Sequence, residues 1–105
     1  MIKLDIIIPV YNEDENIVRL LKLFEEKINT NFQVLICYDS ESDKTLKHLQ
    51  KENLINSKLL FVKNPKHGPN SAIIEGIKKS NAEIILVYMA DDFENINLIN
   101  QMVKL

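Results

Sequence analysis

The chain has 105 residues, a net charge of −2 and a pI near 5.7, with 46% hydrophobic and 27% charged residues. That length holds one domain, and that balance suits a globular protein with its own core. Nothing in it favours a nucleic-acid backbone or an anionic membrane surface, which call for clustered Lys and Arg.

Residues 5–10, Asp-Ile-Ile-Ile-Pro-Val, form a nearly unbroken apolar run. Such a run predicts a strand covered on both faces, as in parallel sheets. Glu13, Asp14 and Glu15 then suit the positive end of a helix, predicted over about 14–29. Its apolar stripe is Ile17, Val18, Leu20, Leu21, Phe24 and Ile28. Residues 32–38 read as a second strand. It contains Cys37, which is expected to be a buried, inert thiol. A lone cysteine excludes an intrachain disulfide, and no Cys/His cluster offers a zinc site. Asp43 opens a short helix to about residue 52 as its cap, and residues 58–62 form a third strand. Asn64-Pro65-Lys66-His67-Gly68-Pro69 is the strongest turn signal, and Pro69 suits the first turn of the next helix. Residues 83–89 give a fourth strand. Asp91-Asp92 ends it, and a last helix carries Ile96, Leu98, Ile99, Met102 and Val103.

Strands alternating with helices predict an α/β protein of three layers with a mainly parallel, Rossmann-like sheet. No apolar run approaches the ~20 residues of a membrane span, and no cleavable signal is visible, so the expected location is cytoplasmic.

In open α/β sheets ligands bind beyond the carboxyl ends of the strands. Carboxylates follow the first, second and fourth strands, and Lys66, His67 and Gly68 follow the third. Acids and a base around one crevice suit a ligand bearing hydroxyls and phosphates, with a divalent cation such as Mg²⁺ or Mn²⁺ between them. Read alone, Lys66 and His67 are solvated loop residues, and Tyr38 and Tyr88 are packing residues. The glycine patterns of dinucleotide sites and phosphate loops are absent, and so is the Gly-x-Ser-x-Gly elbow of hydrolases.

Four segments in order resemble family 2 glycosyltransferases. Pro9-Val10-Tyr11-Asn12-Glu13 matches the opening P-x-Y-N-E, and Tyr38-Asp39-Ser40-Glu41-Ser42-Asp43-Lys44-Thr45 stands where the family has a D-D-x-S-x-D-x-T segment. Gly68, Ala72 and Gly76 keep the spacing of the family's G-x-x-x-A-x-x-x-G stretch, and Asp91-Asp92 stands at its aspartate motif. The resemblance implies the A-type glycosyltransferase fold and binding of a nucleotide-diphosphate sugar. It places Pro9, Tyr11 and Glu13 beside the base and ribose, and Asp39 on the base. Asp91 falls near the ribose and diphosphate, with Lys66 and Gly68 completing the nucleotide set. Asp91 and Asp92 are the candidate metal residues. The chain departs from the pattern at Tyr38, Glu41 and Ala90, and its two aspartates are adjacent, which leaves open which one meets the metal.

By the same resemblance, residues 1–105 are the nucleotide-sugar-binding part of a longer domain, lacking an acceptor site and a base. Two readings follow: the donor-binding part of an enzyme, inactive by itself, or a binding and assembly module without catalysis. In either case the uncovered sheet edge predicts a homodimer or higher oligomer.

Overall fold

The computed structural model describes residues 2–52 and 58–104. Four strands alternate with four helices: β1 (Leu4–Pro9), α1 (Ile17–Lys27), β2 (Phe32–Tyr38), α2 (Lys44–Lys51), β3 (Leu59–Lys63), α3 (Pro69–Lys79), β4 (Ile84–Val87) and α4 (Ile96–Val103). The strands form one parallel sheet in the order β3-β2-β1-β4, as the α/β reading expects.

Strand periodicity sorts the core into two layers. Leu4, Ile6 and Ile8 point to one face, where they pack with Ile17, Leu20 and Phe24 of α1, Leu46 and Leu49 of α2, and Ile96 and Ile99 of α4. Ile7 points to the other, where it packs with Leu35, Cys37, Val62 and Ala72 beneath α3. Three helices therefore cover one face and a single helix the other. Helix α3 lies close to the sheet because Gly76 has no side chain. A Cβ there would stand 2.8 Å from Ile7 Cγ2 and 3.0 Å from Cys37 Sγ. Cys37 is buried, as expected, and burial first, then the Glu75 charge, push its thiol up to about 12.

Several boundaries differ from the sequence expectation by one to three residues, and two of these shifts have a visible cause. Helix α1 begins at Ile17 and not near residue 14, because residues 14–16 are still closing a turn on the Glu13 carbonyl, which accepts from Asn16 N–H and Ile17 N–H. Strand β4 stops at Val87 and not at Met89. Here the cause is Pro9. The β1–β4 ladder runs through Ile84 N–H to the Lys3 carbonyl and ends with Tyr88 N–H to the Ile7 carbonyl. The next rung would need an N–H from Pro9, which proline lacks. Beyond that point β1 pairs only with β2, through Val10 N–H to the Cys37 carbonyl.

Candidate functional site

The four strand ends open onto a cleft of about 480 Å³, lined by Pro9, Tyr11, Glu13, Asp39, Gly68 and Met89, with Val10, His67, Pro69 and Ala72 between them. Five of the residues singled out in the sequence meet there: Pro9, Tyr11, Glu13, Asp39 and Gly68.

Each is set in place by its own element. Pro9 ends β1. Tyr11 follows it and is 78% exposed, leaving a flat ring free on the cleft wall. Asn12 takes φ +51°, a left-handed conformation that Asn tolerates, and this reverses the chain towards Glu13. A clasp holds that reversal. The Asp43 carboxylate accepts from Asn12 N–H at 3.1 Å, while Asn12 Oδ1 accepts from Lys44 N–H at 3.0 Å. Glu13 N–H donates to Thr45 Oγ1 at 2.8 Å. Asp43 also caps α2 by accepting from Thr45 N–H at 2.8 Å, the role expected of it. Asp43 and Thr45 are both buried, so this half of the D-D-x-S-x-D-x-T segment shapes the loop.

Asp39 stands at the end of β2 and is tied to the β3–α3 turn. Its Oδ1 accepts from Asn64 Nδ2 at 2.7 Å, and its Oδ2 accepts from Gly68 N–H at 2.9 Å. His67 Nδ1 lies 3.9 Å from Oδ2 on an imidazole that is 89% exposed. Gly68 has φ +103°, the left-handed region that favours glycine, and begins α3 just before Pro69. Lys66 contributes through its backbone, with its N–H donating to Asn64 Oδ1 at 3.2 Å, and its side chain does not line the cleft.

Asp91 and Asp92 follow Met89 in the chain, neither is among the residues that line the cleft, and the two are used differently. Asp92 builds its own turn: Oδ1 accepts from Glu94 N–H and Asn95 N–H, both at 3.1 Å, and Oδ2 from Asn95 Nδ2 at 2.9 Å. These bonds, led by the Asn95 amide, hold its carboxyl below the usual carboxylate range. Asp91 is exposed, and its carboxylate has no hydrogen-bond or ion-pair partner among the described residues. Tyr88, buried in the core just before the two aspartates, stacks edge-on against Phe24 with centroids 5.4 Å apart. Its hydroxyl makes no well-formed hydrogen bond to the described residues. Burial first, then the Asp92 charge, push the phenol up to about 12. Tyr38 is buried too, so both tyrosines pack as expected.

The residue that sequence reading missed is Asn64. It is 1% exposed, and its side-chain amide joins Asp39, Lys66, Gly68 and Ser71. The available signal was positional, an amide directly after an apolar strand, in the place that Asp39 holds after β2.

Among the described residues no helix is long and apolar enough to cross a membrane, and no three His, Cys, Asp or Glu side chains converge into a metal cage.

The fold and its motifs have clear counterparts. Poly(ribitol-phosphate) beta-N-acetylglucosaminyltransferase TarS of Staphylococcus aureus is 29% identical over 98 residues, which is 90% of this chain and 17% of that protein. The crystal structure of S. aureus TarS in complex with UDP superposes on 98% of this chain and 31% of its own, with a TM-score of 0.75 and 23% identity. The mannosyltransferase PcManGT of Pyrobaculum calidifontis, in complex with GDP-Man and Mn²⁺, superposes on 93% of this chain and 31% of its own, with a TM-score of 0.74 and 18% identity. The chain thus spans less than a third of the length of each. At these identities the superpositions speak to the fold, an α/β architecture shared with A-type glycosyltransferases. The family is established by a match to the family model described as glycosyl transferase family 2, which runs over residues 5–105 and includes every segment that lines the cleft, so the chain belongs to that family.

Proposed function

We propose that this chain is the part of a family 2 glycosyltransferase that binds the nucleotide-diphosphate sugar from which the sugar passes to an acceptor. The observation that carries the reading is the cleft at the strand ends. It combines an exposed aromatic ring at Tyr11, an oriented carboxylate at Asp39 and the glycine-led start of α3. A flat ring gives a base a surface to stack on, and a carboxylate accepts from a ring N–H. The TarS structure contains UDP and the PcManGT structure GDP-Man with Mn²⁺, so uracil and guanine nucleotides are the first donors to test.

A divalent cation fits in one way. Asp91 offers an uncommitted hard oxygen ligand, and Asp92 does not, its oxygens being bound within its own turn. With no three-residue cage among the described residues, diphosphate oxygens and water would complete the shell, as is usual for Mg²⁺ and Mn²⁺. When bound, such an ion neutralises charge on the leaving diphosphate.

A second reading, a binding and assembly module without catalysis, draws on one observation. The carboxylates and imidazole lining the cleft are those of Glu13, Asp39 and His67. Glu13 accepts from Asn16 Nδ2 at 3.2 Å, Asp39 is tied to Asn64 and Gly68, and the His67 imidazole is almost fully exposed. None is set up as the base that deprotonates an acceptor hydroxyl.

Calorimetric titration with UDP and GDP, with and without Mn²⁺, separates the outcomes. Metal-enhanced binding supports the donor site. No binding at millimolar nucleotide removes it and leaves the assembly module.

A further inference from the structure

We infer that Asn64 is a positioning residue for base recognition, and that through Asp39 it makes the cleft choose bases with a ring N–H over bases without one. The inference rests on the donor-binding reading above.

Asn64 is locked from every side. Its backbone N–H donates to the Tyr38 carbonyl at 2.8 Å, extending the β2–β3 ladder past the end of β3. Its side-chain oxygen takes the Lys66 N–H, and its side-chain nitrogen faces Asp39 Oδ1 at 2.7 Å, Ser71 Oγ at 3.0 Å and the Gly68 carbonyl at 3.3 Å. The amide cannot turn over, because a flip would set its oxygen against the Asp39 carboxylate and leave the Lys66 N–H facing an NH₂ group.

Asp39 is thereby fixed in orientation. One N–H from Asn64 and one from Gly68 take one lone pair on each carboxylate oxygen. The side chain remains 22% exposed and lines the cleft, so the other lone pairs are available there. A carboxylate held this way offers acceptors only. Uracil and guanine carry a proton on the ring nitrogen of their pairing edge and can donate it. Cytosine and adenine carry a lone pair on the corresponding nitrogen, which the carboxylate repels. A site built to pair a donor rejects the analogue lacking it more strongly than shape alone can. Without Asn64 the carboxylate keeps its charge but loses its aim.

The test is titration of the 105-residue chain with UDP, GDP, CDP and ADP, each with Mn²⁺, and with inorganic pyrophosphate and Mn²⁺ as a ligand without a base. The wild-type chain is expected to bind UDP or GDP about tenfold or more tighter than CDP and ADP, the value of one hydrogen bond to a charged group. Asn64→Leu, nearly isosteric but with neither donor nor charge, is expected to shrink that preference to about threefold or less and leave pyrophosphate affinity unchanged. Asn64→Ser keeps a short donor at the same place and should retain an intermediate preference, so it carries the test if Asn64→Leu fails to fold. Equal weakening of all five ligands by both variants would make Asn64 a merely structural residue. Wild-type binding without base preference would overturn the selection while leaving the donor site standing. Binding of none of the nucleotides would overturn the donor reading itself.

Discussion

Asn12 and Asp43, 31 positions apart, hold each other's loops. The carboxylate of Asp43 accepts the Asn12 N–H, and the side chain of Asn12 accepts the N–H of Lys44. The strained backbone of Asn12 and the start of α2 are thus one unit. Asp43→Ala should destabilise the fold by about 2–3 kcal/mol, about 1 from the helix cap and the rest from the charge-assisted bond to Asn12. Chemical denaturation of Asp43→Ala, Asn12→Gly and the double variant checks this. Asp43→Ala removes the carboxylate that takes the Asn12 N–H, and Asn12→Gly removes the side-chain oxygen that takes the Lys44 N–H. The double should cost less than the sum of the singles, because each loss loosens the two loops that the other bond joins.

The two aspartates after β4 should separate in function. Asp91→Asn is expected to weaken Mn²⁺-supported UDP or GDP binding by about tenfold or more, and Asp92→Asn by about threefold or less. Calorimetry with and without Mn²⁺ reads both. The reverse order would mean that the Asp92 turn opens on binding.

Asp39→Ala should weaken nucleotide binding about tenfold or more, whether or not metal is present, since its part lies with the base and not the diphosphate. Loss of binding only in the presence of Mn²⁺ would move Asp39 to the metal.

Gly76→Ala should destabilise the chain by up to about 2 kcal/mol in thermal or chemical melts. Alanine gains about 1 kcal/mol in helix propensity but pushes a methyl into the branched side chain of Ile7 and the sulfur of Cys37, an overpacking cost of about 1–3 kcal/mol.

Stability should fall on the alkaline side. The Cys37 thiol is raised from its ordinary 9.0 to about 12 in the fold, so the folded chain holds that proton more tightly than the unfolded one. The stabilisation is complete below pH 9 and is lost as pH rises towards 12. Tyr88, raised from 10.0 to about 12, acts in the same direction. Denaturation at pH 8 and pH 10.5 should show the drop, and replacing Cys37 by Ala should lessen it. At pH 8 the native thiol should stay inert to disulfide reagents.

Self-association should follow from the bare flank of the sheet. Ile85 and Val87 of β4 point to the α3 side, where α3 covers mainly β1, β2 and β3, and they are 40% and 38% exposed. Light scattering at about 100 µM is expected to show a dimer or larger species, and Val87→Lys should shift it towards monomer. A monomer throughout would remove the prediction.

The sequence was most legible where a single element decides the outcome. The apolar runs of β1 and β2 and the stripe Ile17, Leu20, Phe24 located the strands, the first helix and the face it buries. The strand-end rule brought Pro9, Tyr11, Glu13, Asp39 and Gly68 together before any coordinates. Tertiary partners were harder to see. Asp43 was readable as a cap because capping is local, but its hold on Asn12 joins two distant loops. The role of Asn64 depends on burial, which a turn signal does not reveal. Asp92 could have been read further: an aspartate three residues before Asn95 is a local turn pattern, and it distinguishes the two acids.

Pro9 has an effect wider than its ring. Parallel strands zip together until a rung is missing, and here the missing rung is a proton that an imino acid never carries. Where the zip stops, β4 is released from β1 and Met89 is left on the cleft wall. The end of this zip is therefore written into the backbone. Any replacement that restores an N–H at position 9 would remove the bar to one further rung, between that N–H and the Tyr88 carbonyl.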